Sequence, residues 1–539
     1  MKGVNQMTHE SAITVPRTIR CLFRICLLFL VPCLCSLCML SGCYEAWTGA
    51  TETDVESARQ TGDADMDVTD ENPTEEEQPT MCTETERQTT PLPDVTDTET
   101  ATESAIETET ETETETETET DAEPPTEPET DPVREPLALS VTVDPYVPEQ
   151  PAVVENVKAM WLSQFDLYTV YQSDTGTTGQ RDEEQYRTLI QQVLQNVADN
   201  GFNTVIVQVR PNADSMYPSD YYPPSTYVVG SYAGAFIYDP FEILIQEARY
   251  LGLSVHVWIN PLRGMTTKEI KLIDSSYLIR QWYDDDSLRG KYLVEVGGRL
   301  YLNPAYAEVR DLIVHGAREI LERYDVDGVH MDDYFYPTTD ASFDSAAYAV
   351  YQEEGGRMLL GDWRRENLSA LVSALYKIVK KQDPEALFGI SPSGVLNTVY
   401  YNQYADVYRW CREPGFVDYI LPQIYFGFEH ATAAFDMLSD KWNDVVHSDY
   451  VTLLIGMTFG KALSKYDKYA GSGAYEWAQH TDILARCVEY TQGLEKCRGI
   501  SIFCYQYFYH PVTGVPVSET KEERDNFTVA LDKAVWGED

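Results

Sequence analysis

From Val157 onward the chain alternates two patterns: short apolar runs bounded by turn residues, and longer stretches whose apolar positions recur every three or four residues. Eight short runs read as strands: KAMWLS, NTVIVQVR, LSVHVWIN, DGVHMDD, ALFGISPS, DYILPQIY, VTLLIGM and GISIFCYQY. The stretch DEEQYRTLIQQVLQNVADNG shows the other period. It places Tyr186, Leu189, Ile190, Val193, Leu194 and Val197 on one helical face, with Gly201 as the stop. Asp239 with Pro240, and Asn303 with Pro304, each put a capping side chain before a proline, where the missing amide costs no helical hydrogen bond. Eight strand and helix units within 148–539 predict an α/β fold, a (β/α)8 barrel of the TIM type with long βα loops after strands two, three and four.

Side chains alternate along a strand, so parity separates residues facing the helices from those facing the barrel axis. In strand two Val205, Val207 and Val209 share the helix side, which turns Gln208 and Arg210 inward. Strand three sends Val255, Val257 and Ile259 outward and His256, Trp258 and Asn260 inward. In strand four Val329 and Met331 take the outer side, His330 and Asp332 the inner; strand six gives Gln423 and Tyr425 by the same count. Barrels of this type build their sites at the carboxyl ends of the strands. These groups are therefore expected to converge on one mouth, with Arg210, His256 and His330 near enough to tune Asp332. A structural ion pair of Asp332 with Arg210 is the competing reading. Asp333 either joins the site or turns away to bond loop amides.

Aromatic residues crowd the same loops: Tyr217, Tyr221, Tyr222 and Tyr227, then Tyr334, Phe335 and Tyr336, then Tyr425, Phe426 and Phe428. Sugar rings stack their C–H faces on such rings while their hydroxyls seek amides and carboxylates. Packing of the loops against one another uses the same residues.

Composition changes the picture ahead of the barrel. The formal charge of the 539-residue chain is −48, and 31 acidic side chains against three arginines lie between Tyr44 and Glu135, a net of −28. Thr, Glu, Asp and Pro dominate 43–147, with IETETETETETETET at the centre. Both alternating residues there are polar, so neither face buries anything to offset the entropy of ordering, and the segment reads as a disordered tether. Before it, Arg17, Arg20 and Arg24 precede the apolar segment Ile25–Leu40, short for a membrane span, and LSGC ends at Cys43. That tetrapeptide resembles a bacterial lipobox. The resemblance implies a lipoprotein signal peptide over 1–42, a lipid on Cys43 and an extracytoplasmic, membrane-anchored protein; an uncleaved anchor or ordinary signal peptide is the other reading. Without a basic face, nucleic acid is excluded as a partner. Cys411, Cys487, Cys497 and Cys504 lack C-x-x-C spacing and are expected as buried free thiols, with one disulfide between Cys487 and Cys497 as the alternative.

Six stretches in order carry a family resemblance: FNTVIVQVRPNADSMYPSDYYP, DPFEILIQEARYLGLSVHVWINPLR, LNPAYAEVRDLI, YDVDGVHMDDYFYP, GISPSG and VDYILPQIY. Together they resemble the glycosyl hydrolase-like family ten of bacterial secreted proteins and lipoproteins, related by fold to the amylase-type barrels. The resemblance implies a glycoside hydrolase acting on a cell-wall polysaccharide such as peptidoglycan strands stripped of stem peptides; a monomer without cofactor is expected. In amylase-type barrels the fourth strand carries an Asp nucleophile two residues after an inward Arg. Here Asp332 holds the Asp place and His330 replaces the Arg. The Glu acid of strand five has no counterpart in ISPSG, so the acid is expected from Asp333, Asp214 or Glu429, with two close carboxylates sharing one proton. Arg210, His256, Trp258, Asn260, His330, Gln423 and Tyr425 are the expected substrate-binding groups. A rival reading is a glycan-binding lipoprotein whose site has lost its acid. A metal-dependent deacetylase or peptidase fits poorly: no H-E-x-x-H occurs, and His256 with His330 make too few ligands.

Overall fold

The computed structural model describes residues 143, 145–173 and 179–537. The expected signal segment, Cys43 and nearly all of the acidic tether lie outside them. All eight apolar runs form strands. In chain order the strands are β1 (Val157–Leu162), β2 (Thr204–Arg210), β3 (Ser254–Ile259), β4 (Arg263–Thr266), β5 (Leu293–Val296), β6 (Arg299–Leu302), β7 (Gly328–Met331), β8 (Leu387–Ile390), β9 (Tyr419–Ile420), β10 (Thr452–Thr458) and β11 (Cys497–Phe503). Eight of them, β1, β2, β3, β7, β8, β9, β10 and β11, pair in that order as a closed parallel barrel, β11 returning to β1. The order β4-β6-β5 makes a small antiparallel sheet within the loop that follows β3.

Local chemistry sets the helices. Helix Glu183–Asp199 starts where the Asp182 side chain accepts from the Gln185 amide, and buries Tyr186, Ile190, Val193, Leu194 and Val197. Gly201 follows at φ 81°, a conformation that favours glycine. Asp239 caps helix Pro240–Tyr250 by accepting from the amides of Phe241 and Glu242. The second cap expected, Asn303 before Pro304, is corrected. Its carboxamide accepts from the Ala305 amide and donates to the Lys291 carbonyl, which closes a turn, and the helix begins only at Ala307.

Two apolar layers result. The outer one lies between strands and helices and takes Val205, Val207, Val255, Val257, Val329 and Met331, on the side that parity assigns to them. The inner one fills the barrel axis with Trp161, Ile206, Trp258, Tyr419, Leu421 and Phe503. Glycines make room for those rings: a Cβ at Gly389 would fall within the Tyr419 ring, and one at Gly328 would press on His256 and the Leu387 carbonyl. Cys411, Cys487, Cys497 and Cys504 are buried free thiols, which excludes the disulfide alternative.

The last helix, Lys521–Lys533, docks on Ile483–Gln492 through a buried carboxylate. Glu523 accepts from the Leu484 amide at 2.5 Å and from the Ile483 amide, so it meets donors at the start of the neighbouring helix. Burial pushes its carboxyl up from 4.5 to about 7. The folded state thus binds this proton more tightly than the unfolded chain does, and the stability this group contributes falls as pH rises from about 4.5 to about 7. Glu523→Gln is expected to lose less of its urea midpoint across that window than the unaltered protein, as measured by unfolding at the two pH values.

Candidate active site

Asp332 is the first residue beyond β7 and is buried, its carboxylate turned toward the barrel axis. Oδ2 accepts from Trp258 Nε1 at 2.9 Å and from Asn260 Nδ2 at 2.5 Å, while Oδ1 accepts from the Tyr334 backbone amide at 3.2 Å. The Asn260 bond has a fixed direction. The Gln164 backbone N–H donates to Gln208 Oε1 at 2.8 Å, which leaves Gln208 Nε2 to donate to Asn260 Oδ1 at 2.9 Å and Asn260 Nδ2 to donate to Asp332. A backbone amide cannot act as acceptor, so neither carboxamide is free to flip. Gln164 is the first residue of helix Gln164–Tyr171, whose amino end supplies the donor.

Asp333 joins the same mouth. The strand ends at Met331, so alternation no longer governs the next two residues, and the two carboxyls lie near enough for the charge of Asp333 to act on Asp332. Asp333 is half-buried and is hydrogen-bonded by the Gln423 side chain, which also donates to the Ser391 carbonyl at 3.0 Å. Gln403 Nε2 donates to the Asp333 carbonyl at 3.2 Å and steadies the bend. Tyr425 is buried beside the pair, its ring stacked on Phe503 at 6.0 Å. Burial, and then the charge of Asp333, push Asp332 well above the ordinary carboxylate value against the pull of Trp258, the Tyr334 amide and Arg263. Burial likewise raises Asp333 to about 6. Two carboxyls so placed hold one proton between them near neutral pH.

Arg210 is not part of this mouth. Gln208 pairs with Trp258, but Arg210 pairs with Ile259, so β2 carries one extra residue and parity reverses at its end. The guanidinium therefore lies outside the barrel, 4.5 Å from the centre of the Tyr222 ring and hard against Gly316 of helix Ala307–Arg323. No ion pair with Asp332 forms. His256 and His330 do face the axis, but deeper. Their Nδ1 atoms lie 2.9 and 3.0 Å from the one hydroxyl of Tyr419. At about 3.3 Å per residue, His330 sits roughly 7 Å below Asp332 along β7. Burial lowers His256 to about 4 and holds His330 well below its ordinary value, so both are neutral at pH 7; one donates to the hydroxyl and the other accepts from it. His256 instead borders a cavity of about 280 Å³ at the opposite end of the barrel, with Val154, Thr204 and Ser254.

The other acid candidates are held elsewhere. Asp214 is buried and accepts from the Asn212 amide at 2.8 Å and from Ser225, as a brace of the loop after β2. Glu429 is exposed, 4.0 Å from His480, and its amide is held by the buried Glu476. Trp258 and Asn260 reach the mouth, yet their polar atoms are engaged with Asp332, so they position the carboxylate. Three residues at the mouth escape a parity count. Gln164 acts through its backbone, Tyr334 lies beyond the strand, and Arg263 follows β3 after a proline. The Arg263 guanidinium lies 4.7 Å from the centre of the Tyr334 ring. Among the described residues no cluster of three or more His, Cys, Asp or Glu is arranged to hold a metal ion.

These features coincide with a sequence match. Residues 156–469 match the family described as Glycosyl hydrolase-like 10. Glycosyl hydrolase YngK of Bacillus subtilis (strain 168) is 33% identical over 329 residues, covering 58% of this chain and 62% of its own length. Glycosyl hydrolase DigH of Escherichia coli (strain K12) is 31% identical over 347 residues, 60% of this chain and 78% of its own. The chain thus spans somewhat under two thirds of the Bacillus relative. With more than half of its residues matched, including every strand that feeds the Asp332 mouth, the chain belongs to the glycosyl hydrolase-like 10 family.

Proposed function

We propose that the protein is an extracytoplasmic, lipid-anchored glycoside hydrolase that cleaves peptidoglycan glycan strands freed of their stem peptides. The observation that carries this reading is the pair Asp332 and Asp333 at the barrel lip, one fixed by donors and the other holding a raised carboxyl. The family and the glycosyl hydrolases it includes support the reaction class.

Burial raises both carboxyls, so the pair keeps one proton between them; the three fixed partners of Asp332 are all N–H donors that its ionised form satisfies, and the reaction draws that shared proton from Asp333. In the reaction, Asp333 gives that proton to the glycosidic oxygen as the bond to the anomeric carbon breaks and its electron pair moves to the oxygen. Asp332 meets the positive charge that develops on the sugar, as nucleophile or as electrostatic partner. Water then adds to the anomeric carbon and releases a proton, so the pair ends with the one proton it began with. Gln423 and Tyr425 border the space where sugar hydroxyls would lie.

Asp332→Asn is expected to lower the release of reducing ends from peptide-free peptidoglycan by at least about 100-fold. An unchanged rate would remove Asp332 from the chemistry, and binding without turnover by the unaltered protein would favour a glycan-binding lipoprotein. Because the pair acts with one proton, kcat/KM is expected to rise as pH rises through about 6, where the first of two protons leaves, and to fall at higher pH as the second leaves, read from a pH–rate profile. Cys43→Ser is expected to abolish incorporation of a fatty-acid label and release the protein from the membrane fraction. Retention there would transfer the anchoring role to Ile25–Leu40.

A further inference from the structure

Arg263 opens β4, three residues beyond Asn260, at the point where the chain leaves the barrel mouth. Its guanidinium stacks on Tyr334, the residue whose amide holds Asp332, and its cross-strand partner is Tyr301 of β6. The side chain is half-buried, and both Asp332 and Asp333 feel its charge. Yet it forms no ion pair with either, and its guanidinium makes no hydrogen bond among the described residues. Arg299 of the same small sheet shows the contrast: it donates to Asn212 Oδ1 at 2.9 Å and to the Gly264 carbonyl at 2.7 Å. Arg263 is therefore a cation oriented by an aromatic face, beside the reacting carboxylates, with its donors unfilled.

Substrate entry drives water from such a place, and a guanidinium left without acceptors there is costly. The acceptor has to arrive with the sugar. The planar fork of an arginine matches a carboxylate through two parallel hydrogen bonds, a fit no single hydroxyl gives. Charge points the same way. The aspartate pair keeps one negative charge when it shares one proton, and that charge repels an acidic sugar unless a cation stands beside it.

We propose that Arg263 is the specificity residue of this site and binds a carboxylate carried by the substrate sugar at the scissile bond. The proposal rests on the glycan-hydrolase reading above and names the substrate feature that the site selects. Two sources present that group. A peptidoglycan strand carries it on a lactyl ether, where a stem peptide would otherwise convert it to an amide; a glycuronan carries it on the ring.

Binding is measured by calorimetry in the Asp332→Asn host, so that turnover does not intrude. The probes are a peptide-free peptidoglycan fragment, the same fragment with its carboxylates reduced to alcohols, and a glycuronan oligomer. The peptide-free fragment is expected to bind at least about tenfold more tightly than its reduced form. Adding Arg263→Gln is expected to remove that difference, and Arg263→Lys to restore part of it, with circular dichroism checking that each variant is folded. Glycuronan binding as tight as the fragment assigns the site to sugar acids in general, and weaker binding assigns it to the lactyl ether. Equal binding of the fragment and its reduced form, or an equal loss for both on Arg263→Gln, overturns the proposal. Failure of the hydrolase reading looks different: the unaltered protein releases no reducing ends while the binding contrast persists.

Discussion

The site depends on one hydrogen bond whose direction cannot be reversed, from the Gln164 backbone to Gln208. A buried carboxylate is stable and oriented only if every neighbour offers it a donor, and side-chain amides do so only when held the right way round. Gln208 and Asn260 could each present oxygen or nitrogen to their neighbours. The helix terminus at Gln164 removes that freedom at both in turn, and Asp332 receives an N–H as the result. Trp258, which has only a donor to give, completes the set on the same oxygen. Asp332 and Asn260 each stand one residue past a barrel strand, so the strands fix the carboxylate and its holders.

The barrel interior shows why polarity at the axis and presence at the mouth are separate matters. His256, His330 and Tyr419 form a buried neutral cluster in a space that Gly389 and Gly328 leave open. They give the middle of the barrel a polar layer joined through the Tyr419 hydroxyl, with His330 Nε2 buried and unpartnered among the described residues. Above it, the carboxylates stand where burial raises their proton affinity. The two functions are stacked along one axis and share no hydrogen bond.

Much of this was legible in the residue pattern. Every barrel strand could be placed from apolar runs, and the inward faces of β3 and β7 followed from alternation, including Trp258, Asn260 and Asp332. Arg210 was misplaced because an extra residue near the end of β2 has no signature in a run of valines. His256 and His330 were placed on the right face but at the wrong depth, since parity reports side and not height. Asp333 was left open for a related reason: alternation ends with the strand, and which way the next residue turns depends on Gln403 and Gln423, far along the chain. Arg263 stood in a quoted motif, but its role depends on a small sheet whose pairing no local pattern announces.

The helix that supplies the Gln164 donor is itself tied down from a distance. Asp166 closes a capping box with Ser163 at its start, and its other oxygen accepts from the amide of Gln506, just past β11, at 2.6 Å. The family match stops at residue 469, before β11 is reached. The tail beyond the matched segment is thus a structural co-owner of the carboxylate's setting: shortening the chain there would unzip the cylinder at its seam and loosen the anchor point from which the carboxylate takes its orientation.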